Sequence, residues 1–570
     1  MPQTTHTELR PAGDGVGAAG VSTGKRDRGP GDSVSAVQPV KSRRWLWGLA
    51  IAVCFASWAL RTVGSYNTIE TDAARHAMNG VFLRDLIARG RFTDVMEFAR
   101  TYYAHLPALS LPYHPPLFPL IEAGFYSIFG VSVLSARLAV ALAIGVCALI
   151  LFLLVLKTSE SATLAAVSTI TFLCLPEALW LGSDVMLEFP ALVFTLLAIY
   201  CLHPVDREYP MRRALCFAVF AGAAVWTKQL TVFLGAVPIL YLMLLGRWRL
   251  FLRPAIWVST GVFAGIVAAL TALSLPVHGA GVTQAIPAAP IPIYQAYYRL
   301  LVRNADFYAR HYYDTTGPVG IILVVTLGIA LIVGVFRRGR PPSFRAETAL
   351  YLAWAMASLG VLFLLRPYAT RYLFFTYPAL IVLGYAGLLR VAGYLRAGRR
   401  AASAAAIAVA ALAVVQFPHR THFLHGPDEA ARELAAVHPR RILYCGGTDG
   451  NFILNYRLAR AGLDTAIITG DKLPAATFAP VRFEQFAHDY GVQYIVLEDA
   501  EEVKSPWEQL SKAGLSTMIL ERQIQLISST IRWNGSLRIY RFTNPSPEPK
   551  DDLAMRMFMI GGTMDFNLAR

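Results

Sequence analysis

Apolar residues in this chain gather into eleven runs separated by short polar connections. They fall at Trp45–Val63 and then at about 133–156, 161–181, 189–203, 213–228, 229–246, 254–275, 317–336, 347–366, 372–390 and 401–418. Most approach the ~20 residues that a helix needs to cross a hydrocarbon layer ~30 Å thick. The pattern predicts an all-α polytopic transmembrane bundle of about eleven spans. One further stretch, Leu117–Gly130, is shorter and is opened by Pro115, Pro116 and Pro119. It reads as an interfacial helix on the outer face rather than a crossing.

Charge then orients the bundle. Hydrophobic residues make up 55% of the chain and charged residues only 16%, below the quarter or so usual in soluble proteins. The formal net charge of +15 does not point to nucleic acid, because the cations cluster between apolar runs. Lys41, Arg43 and Arg44 precede the first run, and Lys157 alone marks the connection after 133–156. Arg207, Arg212, Arg213, Arg247, Arg249, Arg253, Arg337, Arg338, Arg340, Arg345, Arg396, Arg399 and Arg400 fill the alternate later connections. Cytoplasmic loops carry such an excess, so the N-terminus is expected in the cytoplasm and the other connections outside. The six cysteines show no metal-ligand or disulfide spacing.

The domain plan follows. Residues 1–40, polar and rich in Gly and Ser, read as a disordered cytoplasmic tail. Residues 44–420 form the membrane domain. From 425 to 545 the texture changes to short β-rich runs: Arg441–Cys445, Ala466–Thr469, Tyr494–Leu497, Met518–Ile527 and Ser536–Phe542, with a helix over Phe483–Tyr490. This predicts an external soluble α/β domain with some parallel pairing, followed by a tail at 546–570. The Gly446-Gly447-Thr448-Asp449-Gly450 turn lacks dinucleotide-loop spacing and reads as a strand-to-helix turn.

Ionisable residues near membrane depth are costly and mark function by default. Five external segments carry them. The first loop holds Glu70, Asp72, His76 and Asn79, the last three on one face of a helix begun at Asp72. His114 precedes Pro115-Pro116-Leu117. Asp184 and Glu188 flank a short turn, Lys228-Gln229 joins two runs, and Arg366, Arg371 and Tyr372 precede the tenth run. Carboxylates suit base catalysis, and arginine forks and lysine suit an anionic leaving group. Individually, a helix cap, an acidic interfacial loop and a snorkelling lysine account for Asp72, the Asp184–Glu188 turn and Lys228; together the set is more telling.

In order and spacing these elements resemble the polytopic GT-C glycosyltransferases, especially the family that includes protein O-mannosyltransferases and the aminoarabinose transferase of lipid A. The resemblance covers roughly residues 44–400. It rests on an acidic motif at Asp72 with His76 and Gly80, the His114-Pro-Pro-Leu117 element, an external Asp184, the Gly222-to-Thr227-Lys228 element, and Arg371-Tyr372. The family's acidic motif is commonly Asp-Glu; here Ala73 follows Asp72, and Glu70 lies two residues earlier. The resemblance implies sugar transfer from a polyprenyl-phosphate donor to a lipid, glycan or protein acceptor at the external, periplasmic face of a multi-pass membrane protein of the bacterial inner membrane. It implies catalytic roles for Asp72, Glu70 and Asp184, and substrate binding by His76, Asn79, His114, Glu188, Lys228, Gln229, Arg366, Arg371 and Tyr372. No cofactor is required by the sequence, and a divalent metal is left open. The competing readings are a transporter or flippase of a lipid-linked or anionic substrate, and a ligase or phosphotransferase acting on polyprenyl-linked substrates.

Overall fold

The computed structural model describes residues 44–63, 71–204, 209–275, 292–338, 345–416, 424–446, 465–500, 506–528, 534–557 and 562–568. Glu70, the N-terminal tail and the Gly447–Gly450 turn therefore lie outside the described residues. The membrane domain opens with α1 (Arg44–Val63), and the first connection carries α2 (Thr71–Ala88), α3 (Val95–His105) and α4 (Leu117–Phe129). There follow α5 (Val133–Ser159), α6 (Ala162–Leu173), α7 (Pro176–Ser183), α8 (Glu188–Leu202), α9 (Met211–Thr227), α10 (Val237–Leu244), α11 (Pro254–Ser274), α12 (Ile293–Arg338), α13 (Ala346–Leu364), α14 (Tyr377–Tyr394) and α15 (Arg399–Gln416).

Each of the eleven apolar runs lies on a helix, but not each as one uninterrupted span. Among the described residues six helices are long and apolar enough to cross a membrane, or seven if α6 and α7 together make one. The difference comes mainly from short helices: the apolar parts at Trp45–Leu60, Glu188–Leu202 and Gln229–Leu244 have 10–17 residues, and α9 has 17. Pro176 starts a new helix after Leu175, bending the α6–α7 pair by 60°. The run from Gln229 begins as a 3-10 turn, Gln229–Gly235, before α10, and Thr370–Phe375 does the same before α14. Gly317, at φ 65°, separates the N-terminal segment of α12 (outer by the charge pattern's expectation) from the part beginning at Pro318. The Leu117 stretch forms the 13-residue α4. It packs on α2, where Gly80 permits the approach: a Cβ there would lie 2.7 Å from the Cβ of Glu122 and 2.9 Å from Tyr126 Cε2.

The C-terminal part is a mixed six-stranded sheet. Its strands are β1 (Leu424–His425), β2 (Arg441–Cys445), β3 (Ala466–Thr469), β4 (Tyr494–Ala500), β5 (Met518–Ser528) and β6 (Asn534–Phe542), in the order β1-β5-β6-β4-β2-β3. β2 pairs in parallel with β3 and β4, and the remaining pairs are antiparallel. Every residue of β2 is buried, as expected of a parallel strand covered on both faces. Helices α16 (Pro427–Val437), α17 (Pro480–Asp489) and α18 (Glu508–Ala513) accompany the sheet. Residues 546–570, expected to be a tail, instead contain an antiparallel ribbon, β7 (Asp552–Met557) with β8 (Gly562–Asn567). Arg441 ties this segment to the sheet by donating to the carbonyls of Tyr490 and Lys550 and pairing with Asp551. The domain shares one apolar cluster with the first connection: Phe82, Leu86, Phe98 and Tyr103 pack with Phe478, Met555 and Phe566. The Tyr103 and Phe566 ring centroids are 5.2 Å apart.

Candidate active site

Helix ends bring the chemistry together. Asp72 occupies the first turn of α2, where the helix dipole favours a negative charge. Lys228 ends α9 with extended backbone, and Glu188 begins α8. Arg371 and Tyr372 sit in the 3-10 turn ahead of α14, and His114 precedes α4. All of these except Glu188 border a cavity of about 560 Å³, whose wall also includes Arg75, Tyr113, Gln229 and a face of α11 at Val267, Leu270 and Thr271. Glu188 is fully buried and closes onto the cavity through an ion pair with Lys228.

Asp72 is the electrostatic centre. Its Oδ2 accepts from Arg371 Nη2 at 2.7 Å, while Arg75 Nη1 and His114 Nε2 lie 3.6 and 3.8 Å from Oδ1. Burial acts to raise its pKa. His114 when protonated, the permanently charged Arg371, His76 when protonated, and Arg75 together outweigh burial and hold the carboxyl well below the usual range. The two histidines meet edge to face, ring centroids 4.6 Å apart. Burial pushes His114 down to about 4 and carries His76 downward as well, so both are neutral at pH 7. Lys228 and Arg371 flank Tyr372, with Lys228 Nζ 5.9 Å and the Arg371 guanidinium carbon 5.8 Å from its ring centroid. Gln229 Nε2 donates to the Tyr113 carbonyl at 3.3 Å, fastening the His114 segment to the α9 end.

Of the residues expected from sequence, Asp72, His76, His114, Lys228, Gln229, Arg371 and Tyr372 line the cavity. Four others stand off it, Glu188 reaching it only through its ion pair with Lys228. Asn79 is buried in a reciprocal pair with Ser110: its Nδ2 donates to Ser110 Oγ at 2.8 Å and its Oδ1 accepts from the Ser110 amide at 2.9 Å. It ties α2 to the chain leading to His114. Asp184 is buried, and its Oδ1 accepts from the Val185 amide at 3.3 Å. The Arg366 side chain is exposed, while its carbonyl accepts from Arg303 at 2.6 Å. Arg75 and Tyr113 were missed. Arg75 lies at i+3 from Asp72, a spacing that puts both on one helix face and could have revealed it. Among the described residues no three His, Cys, Asp or Glu side chains converge as a metal set. The nearest approach, Asp72 with His76 and His114, is already occupied by Arg371.

Comparison with known proteins bears on the class. The sequence profile of the dolichyl-phosphate-mannose-protein mannosyltransferase family matches residues 113–274, which hold His114, Asp184, Glu188 and Lys228. No curated protein sequence matches the chain. Among solved structures, ArnT from Cupriavidus metallidurans bound to undecaprenyl phosphate superposes with a TM-score of 0.53 at 16% identity, covering 89% of this chain and 100% of that one. The family profile over residues 113–274 and this fold together support a GT-C-type polytopic glycosyltransferase. The apo state of the same ArnT gives a TM-score of 0.49 at 16% identity, covering 89% of this chain and 100% of that one. The archaeal oligosaccharyltransferase AglB from Archaeoglobus fulgidus, in complex with an inhibitory peptide and a dolichol-phosphate, gives 0.47 at 11% identity, covering 80% of this chain and 70% of that one. In this chain the profile match covers part of the cavity wall, whereas Asp72 and Arg371 lie outside it.

Proposed function

We propose that the chain transfers a sugar from a polyprenyl-phosphate donor to an acceptor at the external face of the membrane. The observation that carries this reading is the continuity of a charged cavity with an apolar groove. Val267 and Thr271 of α11 belong both to the cavity and to an open groove of about 630 Å³, whose wall runs along α11 at Phe263, Ala264, Ala268 and Leu275 and takes in Gly235. A ligand with an anionic head and a long apolar chain matches that sequence of environments, head against Lys228 and Arg371 and chain along α11. ArnT, the structure with the same fold, holds undecaprenyl phosphate.

The chemistry is a substitution at the anomeric carbon. The acceptor's O–H or N–H group attacks that carbon, the bond from carbon to phosphate oxygen breaks, and the acceptor proton passes to the Asp72 carboxylate. The carrier leaves with its full phosphate charge, which Lys228 and Arg371 meet as preorganised cations. Asp72 held by Arg371 is a weak base. A donor phosphate that draws on Arg371 relieves this hold and raises the basicity of Asp72 toward the range where general-base help is effective. Donor binding thereby arms the base, and the acceptor follows.

The external location is supported by the distribution of lysine and arginine between the runs. The test is incubation of purified protein with radiolabelled polyprenyl-phosphate sugars and candidate acceptors. Transfer of label to acceptor supports the reading. Passage of the lipid across liposomes with its sugar bond intact would replace it with transport.

A further inference from the structure

Arg371 reaches Asp72 from the short connection that follows α13, and that connection is gripped from outside by one buried amide. The last carbonyls of any helix lack intrahelical partners. At the end of α13 they converge on Asn304, in the N-terminal segment of α12, whose side chain is fully buried. Asn304 Nδ2 lies 3.0 Å from the carbonyl oxygen of Leu362, 3.2 Å from that of Phe363 and 2.7 Å from that of Leu365. Its Oδ1 in turn accepts from Arg303 Nε at 3.0 Å and Nη2 at 2.8 Å. Arg303 also donates to the Arg366 carbonyl at 2.6 Å and lies 4.4 Å from the Tyr368 ring centroid. The Phe307 and Tyr368 rings stand 4.7 Å apart. The grip therefore extends from Leu362 to Tyr368, three residues before Arg371.

Resting on the reading that Arg371 meets the donor phosphate, we propose that Asn304 is a positioning residue for Arg371. It fixes the path of residues 365–371, so that the guanidinium is delivered to the gap between Asp72 and the incoming phosphate. Only an amide fits the position: one face must accept from Arg303 while the other donates to carbonyls. A carboxylate of the same shape keeps the first contact and, lacking N–H groups, loses the second. Displacements of the order of 1 Å in a positioned group can cost a hundredfold in rate.

Two measurements test this with Asn304→Ala, the isosteric Asn304→Asp, Arg371→Ala, and each Asn304 change combined with Arg371→Ala, all in variants of matched thermal stability. Hydrogen–deuterium exchange should quicken at residues 362–372 in both Asn304 variants and stay unchanged in the distant core of α5 and α8. Unchanged exchange at 362–372 overturns the proposal whether or not the donor has been identified correctly. In sugar transfer, each Asn304 variant should lower kcat/KM roughly ten- to a hundredfold. Neither should add to the loss already caused by Arg371→Ala, because both act through the same guanidinium. Additive losses overturn the positioning role. Failure of the wild-type protein to transfer sugar, with the exchange result intact, overturns the donor assignment alone.

Discussion

Arg371 Nη2 donates to Asp72 Oδ2 at 2.7 Å, joining residues 299 positions apart in the chain. The pair links the candidate base to the candidate phosphate-binding cation, so a change at either is felt by both. A substitution that merely removes charge will therefore have two separable consequences, one for binding and one for turnover.

Asp72→Asn is expected to lower transfer by about 10²–10⁴, since the amide cannot take the acceptor proton. The same variant leaves Arg371 without its carboxylate and should bind the sugar-free carrier phosphate at least as tightly as the wild type. Arg371→Ala should lose both binding and transfer. Carrier affinity by titration, alongside transfer rates, checks the pair; full activity in Asp72→Asn would end the catalytic assignment. In Asp72→Asn the cost in stability is about 1–3 kcal/mol, from replacing a charge-assisted hydrogen bond to Arg371 by a neutral one.

Removing Lys228 has its own double effect. Lys228→Met should cost on the order of 2–4 kcal/mol of transition-state stabilisation, the scale for losing one preorganised donor. It also strands the fully buried Glu188, with a stability loss of about 3–5 kcal/mol. Adding Glu188→Gln should recover most of the stability and none of the activity. Recovery of activity in the double variant would mean that Lys228 serves only to neutralise Glu188.

Acid should weaken the fold through His114. Its folded value of about 4 lies below the ordinary 6.5, so between those values the unfolded chain takes up a proton that the folded site refuses. Stability from this group is therefore full above about pH 6.5 and declines as pH falls toward 4. His114→Gln should flatten that part of the profile in thermal melts of the detergent-solubilised protein. Parallel profiles for the two proteins would show that His114 takes up its proton at the same pH in the folded and unfolded states.

The groove along α11 predicts a dependence on carrier length. Ala268→Trp fills part of the groove without touching the cavity. KM for long polyprenyl donors should rise several-fold, while that for donors with one or two isoprene units changes little. An equal change for both would detach the groove from donor binding.

Much of the site was legible in the sequence because charges stand out beside apolar runs. His114, Lys228 and Arg371 each border an apolar stretch, Asp72 opens a helical pattern in the first connection, and each lines the cavity. What each residue touches was not legible. Asn79 shares a helical face with Asp72 and His76 but is satisfied by Ser110, and Arg366 differs from Arg371 in which side of the connection it takes. The α11 wall was invisible because its residues are ordinary apolar ones whose role comes from the partner across the gap. In the C-terminal domain, the strands rich in β-branched and aromatic residues fall close to their expected places. The β7–β8 ribbon escaped notice because its alternation, with Leu553 and Met555 inward, spans only a few Met-rich residues next to Pro545, Pro547 and Pro549.

The contact between Tyr103 and Phe566 bears on how the protein is made. The acidic helix stands among the earliest membrane-domain segments to be synthesised, yet the apolar surface that supports its neighbour α3 is finished by residues more than four hundred positions later. A chain cut before Asp552 would still contain α1 to α15 and yet lose Met555 and Phe566 from the apolar surface on which α3 packs.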